Sequence, residues 1–89
     1  MPVPVARLGD IAGGAIAEGS PNVRINGLPA ARKGDRVAPH GPSPHSGPVL
    51  ASGSSTVRVN GIPLARTTVD RATCSHLITT GSHNTFTSS

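Results

Sequence analysis

Two short stretches hold most of the residues able to ligate a borderline or soft metal ion. Ala38-Pro-His40-Gly-Pro-Ser-Pro-His45-Ser-Gly-Pro48 offers two imidazoles, and Cys74-Ser-His76 adds a thiol and a third imidazole. Three histidines and one cysteine, His40, His45, Cys74 and His76, can fill a tetrahedral zinc site with protein ligands alone. Their spacings fit no standard zinc finger. The same residues also read as exposed loop histidines and a small buried cysteine, so spacing alone leaves both readings open. His83 is the remaining imidazole; it stands where Pro21 and Ser55 stand in similar segments and reads as a turn residue, with a substitution for one of the four ligands left open. A second chemistry is a Cys74–His76 nucleophile pair. The four carboxylates are Asp10, Glu18, Asp35 and Asp70. Three of them recur at equivalent turns, which argues for structure rather than acid–base catalysis.

What positions these side chains is an internal repeat. Ile16-Ala-Glu-Gly-Ser-Pro-Asn-Val-Arg-Ile-Asn-Gly-Leu-Pro-Ala-Ala-Arg32 aligns without a gap on Leu50-Ala-Ser-Gly-Ser-Ser-Thr-Val-Arg-Val-Asn-Gly-Ile-Pro-Leu-Ala-Arg66. A third copy opens at Ile78-Thr-Thr-Gly-Ser-His-Asn-Thr-Phe-Thr87 and lacks its second half. The missing half stands at the start of the chain, where Pro4-Val-Ala-Arg7 matches Pro29-Ala-Ala-Arg32 and Pro63-Leu-Ala-Arg66. The repeat predicts a closed, roughly three-fold body in which the first residues complete the last unit.

Each unit reads as a β-hairpin. Val23 and Ile25 flank Arg24, and Val57 and Val59 flank Arg58, the period-two pattern of a half-buried strand. Asn26-Gly27 and Asn60-Gly61 follow, and Asn-Gly suits a type I′ turn with positive φ at both central residues. Nine prolines and no sustained 3.6-residue apolar spacing leave little room for helix. Arg7, Arg32 and Arg66 precede Asp10, Asp35 and Asp70 by three or four residues, predicting local pairs that brace the turns after each hairpin. Exposed pairs of this kind contribute less than about 1 kcal/mol each.

Composition sets the need for a staple. The 89 residues contain one aromatic side chain, Phe86, with 11 Gly and 9 Pro. So small a chain with so few large side chains buries little apolar area. A single cysteine excludes an internal disulfide, and a structural zinc can supply on the order of 10 kcal/mol. Eight basic against four acidic residues make the chain cationic. The arginines are dispersed and no aromatics alternate with them, so nucleic-acid binding has no support. No leader pattern and no apolar run near the roughly 20 residues of a membrane span is visible. Synthesis in the cytoplasm and export by a signal-independent machine are expected.

The thrice-recurring Pro-x-Ala-Arg, joined to Gly-Ser-x-x-Val-x-Val-Asn-Gly, resembles the PAAR-repeat proteins over nearly the whole chain. The resemblance implies an all-β, cone-shaped single domain over 1–89, made of three hairpin repeats with pseudo-three-fold symmetry. It implies one structural zinc near the apex, held by three His and one Cys: by position His40, His45, Cys74 and His76. It implies a non-enzymatic tip that caps and sharpens the trimeric VgrG spike of a type VI secretion system, one copy per trimer, aiding envelope penetration and effector attachment. Such a tip would assemble in the cytoplasm, touch a target membrane transiently, and be secreted or delivered into a target cell. The alternatives are the tip of a contractile phage tail or related injector and, more distantly, a small zinc-binding nucleic-acid module. No effector extension is expected. Three departures stand out: Ile-Ala-Gly-Gly at 11–14 lacks a His found in some members, Thr67-Thr68-Val69-Asp70 replaces Gly-Asp, and Thr85 and Thr87 replace Val.

Overall fold

In the computed structural model, which describes residues 3–42, 46–82 and 84–87, the chain is all β-strand, turn and loop. The strands are β1 (Val3–Pro4), β2 (Ile11–Ala12), β3 (Gly14–Ala15), β4 (Arg24–Ile25), β5 (Leu28–Pro29), β6 (Arg58–Val59), β7 (Ile62–Pro63) and β8 (Phe86–Thr87). They pair antiparallel as β1–β8, β2–β3, β4–β5 and β6–β7. Among the described residues no helix is long and apolar enough to cross a membrane.

Three of these pairs are one structure built three times. Arg24 faces Pro29 and Arg58 faces Pro63; in the β1–β8 pair, assembled from the two ends of the chain, Phe86 faces Pro4. The same backbone bond recurs in each: Ala30 N–H to Val23 O, Leu64 N–H to Val57 O, and Val5 N–H to Thr85 O, at 2.9–3.1 Å. The first residues therefore complete the last hairpin, as the half-repeats require. Asn26 and Gly27 have φ of 55° and 79°, and Asn60 and Gly61 have 55° and 77°. Both central positions of each turn are left-handed, the reason for Asn-Gly there.

The three Pro-x-Ala-Arg segments close a ring. Ala6 donates its N–H to Ala65 O, Ala65 to Ala31 O, and Ala31 to Ala6 O, at 3.0–3.1 Å. All three alanines are fully buried. Where three backbones converge on one axis a longer side chain has nowhere to go, so alanine is a steric requirement. Below the ring lie Ile16, Leu50 and Ile78, the repeat-equivalent first residues and the largest wholly buried side chains. With Ala12, Val37, Ala72 and Cys74 they form one core cluster. Above the ring, Val5, Ala30 and Leu64 form a second with Val59, and Ile25 packs on it.

The Arg–Asp pairs differ from expectation. They are largely buried, with side-chain exposures of 12%/7%, 15%/7% and 18%/1% for Arg7–Asp10, Arg32–Asp35 and Arg66–Asp70. Each Asp also accepts the backbone N–H of its Arg, at 2.7–2.8 Å. Each guanidinium reaches the carbonyl of the glycine that begins its own hairpin: Gly81, Gly19 and Gly53. These contacts knit each turn to its hairpin and are not surface decoration. In the third unit Thr68 takes the place of Gly9 and Gly34: its N–H bonds Ile78 O, as theirs bond Ile16 O and Leu50 O, and its φ of 66° puts a β-branched residue in the left-handed region.

Two outcomes follow. Ala31→Val should destabilise the protein by about 2 kcal/mol through overpacking of the ring and lower Tm by about 10 °C, whereas Ala51→Val, at an exposed site, should leave Tm within a few degrees by thermal melting. The second concerns acid. Burial presses the Asp70 carboxyl upward, but hydrogen bonds from Arg66 and Ser52 outweigh it and hold the group below its ordinary value of 3.8. The folded pKa is the lower one, so this contribution is present above the ordinary value and lost as pH falls through the depressed one. Asp70→Asn should therefore melt lower than wild type at neutral pH, and the gap should narrow as pH drops below about 4.

Candidate metal centre

Past the layer of Ala12, Val37 and Ala72 the three units diverge in loop length. Three residues lead from Ala12 to Ile16, five from Ala72 to Ile78, and twelve from Val37 to Leu50. The long loop carries His40, the middle one carries Cys74 and His76, and the short one is the β2–β3 turn around Gly13. Backbone bonds tie them together: Ala38 N–H to Ala15 O at 2.8 Å, and Thr73 N–H to Val49 O at 2.8 Å. Within the middle loop Arg71 pairs with Leu77, Ala72 N–H bonds His76 O, and Ser75 takes φ 75°, so Cys74 and His76 sit on one tight reversal.

His40, Cys74 and His76 meet there. One ligand atom from each lies within 4.8 Å of the others, close enough to hold a metal ion. Cys74 is buried and closes the lower core; His40 is half-buried and His76 exposed. The His40 and His76 rings stand edge to face, 5.0 Å between centroids at 77°. His40 Nδ1 lies 3.0 Å from Ala38 O. A carbonyl only accepts, so Nδ1 is the donor, and in the neutral imidazole that leaves the lone pair on Nε2. That nitrogen is 3.6 Å from Cys74 Sγ. Fixing one imidazole nitrogen by hydrogen bond to orient the other is how ligating histidines are commonly held.

Three of the four residues expected as ligands from sequence are thus brought together. His45 lies outside the described residues, as does His83. Sequence reasoning passed over Gly13 and Gly14, which stand against both histidines. Its only signal there was the departure at 11–14, read as a missing ligand and not as space.

The family model for the PAAR motif matches residues 1–42. Over that stretch the chain carries a PAAR motif. No curated protein matches the chain. The matched stretch covers the first two Pro-x-Ala-Arg segments, and the Pro63–Arg66 copy occupies the third position of the same ring. A PAAR motif implies a spike-tip-associated protein of contractile injection systems with a spike-like partner, and the family of that motif is structural rather than enzymatic.

Proposed function

We propose that this protein caps and sharpens the trimeric VgrG spike of a type VI secretion system, one copy per trimer, and carries one structural zinc. The observation behind the reading is the closed Ala6–Ala31–Ala65 ring, which sets three equivalent hairpins about one axis. A single asymmetric chain can then offer each subunit of a three-fold partner the same edge. Those hairpins carry exposed apolar side chains: Val23 and Leu28 in the first, Val57 in the second and Phe86 in the third. Burial of such a face, with strand addition at the short open edges, suits permanent docking.

The opposite end, where three loops converge over too little apolar material, is the place for the ion. His40, Cys74 and His76, with His45 as the fourth, suit zinc by donor type. Ligands at ordinary zinc distances in a tetrahedral site stand about 3.5 Å apart, close to the 3.6 Å between His40 Nε2 and Cys74 Sγ. Four protein ligands leave no position for an activated water, which favours a structural over a catalytic role. On this reading residues 1–89 act as one domain, assembled on the spike in the cytoplasm, then driven with any bound effector through a target envelope.

The test combines metal analysis and assembly. Purified protein mixed with a VgrG-type trimer should give a complex of one chain per trimer by native mass spectrometry, with one zinc per chain. His40→Ala and Cys74→Ser should each lose the zinc and fall sharply in Tm. Full zinc retention with an unchanged melt contradicts the ligand set; no complex with the trimer, or salt-dependent binding to DNA instead, contradicts the tip assignment.

A further inference from the structure

The shortest of the three converging loops leaves room for the other two. Gly13, at φ 86°, has no Cβ; one placed there would lie 2.7 Å from His40 Nε2 and 2.6 Å from His76 Cγ. A Cβ on Gly14 would lie 2.5 Å from Ala38 O and 2.8 Å from His40 Nδ1. Ordinary carbon contacts begin near 3.5 Å. The first methyl would strike the nitrogen that presents a lone pair and the stem of the second histidine. The other would strike the hydrogen bond that orients His40.

We infer that Gly13 and Gly14 are positioning residues of the metal centre: their backbone forms its floor, and the lack of side chains there lets His40 and His76 close on Cys74. The inference rests on the metal reading above and adds what the third unit does in it. That unit supplies no ligand among the described residues; it supplies space. The short loop needs this because only three residues separate Ala12 from Ile16, and β2 and β3 pin both sides of the turn with Ile11 opposite Ala15 and Ala12 opposite Gly14. The turn cannot retreat from an added methyl without breaking that pairing.

Backbone strain and steric intrusion can be separated within this chain. Gly34 has φ 89°, nearly that of Gly13, yet a Cβ there meets nothing within 4 Å. Gly34→Ala therefore carries the left-handed strain without the intrusion. Gly14 lies outside the left-handed region, so Gly14→Ala carries the intrusion without the strain.

The experiment measures zinc affinity by chelator competition for wild type, Gly13→Ala, Gly14→Ala and Gly34→Ala. Cobalt(II) absorption serves as a second readout of ligand geometry. Gly13→Ala and Gly14→Ala should bind zinc about 10–100-fold more weakly, the range seen when the support of a metal ligand is lost, with an altered cobalt spectrum. Gly34→Ala should melt lower with and without metal while keeping wild-type affinity and spectrum. If Gly13→Ala does not fold, Gly14→Ala carries the comparison. Equal affinity in Gly14→Ala and Gly34→Ala overturns the inference and leaves the metal site standing. A wild type that binds no zinc overturns the metal reading itself, and this one with it.

Discussion

Three peptide groups, at Ala6, Ala31 and Ala65, bond one another in a closed triangle, and every other layer of the molecule is arranged around it. The triangle fixes the side-chain size allowed on the axis. It sets Ile16, Leu50 and Ile78 as one layer on one side and Val5, Ala30 and Leu64 as another on the opposite side. It joins residues far apart in sequence, so the chain must close on itself before the ring exists. A fold with so few large side chains depends on this cooperative closure, because no single hairpin of two-residue strands is stable alone.

The two ends of the body solve the same shortage of apolar material differently. At the hairpin end the solution is polar. Buried Ser20 and Ser82 accept backbone N–H groups of their own loops and donate to the Asn of a neighbouring turn, Asn60 and Asn26, at 2.6 Å. Each Asn-Gly turn is thereby clamped to the next unit. At the loop end the described residues hold no repeat-equivalent polar set. The three loops differ in length, and two imidazoles and a thiol converge on one another over a glycine floor. Symmetry is kept at the hairpin end and abandoned at the loop end.

Much of this was legible in the sequence because repetition reports geometry directly. The gapless match of 16–32 to 50–66 and the split third copy predicted closure, and the β1–β8 pairing bears it out. Asn-Gly announced the turns because few other dipeptides tolerate two left-handed residues. The pairing of Arg7, Arg32 and Arg66 with the aspartates was legible too, but not its burial. Burial depends on each guanidinium reaching a glycine carbonyl 13 residues back, or across the chain ends, a contact that local spacing does not encode. The glycine floor was hidden for a related reason. An absent side chain signals nothing until the residues that fill its space are known, and His40 and His76 come from other units.

Native-state hydrogen exchange of the Ala6, Ala31 and Ala65 amides tests the closed ring most directly. If the ring is one cooperative unit, these three amides exchange among the slowest in the protein, with a common opening free energy equal to that of global unfolding. An Ala6 amide that exchanges far faster than those of Ala31 and Ala65, fraying with the start of the chain while they stay protected, would contradict the account.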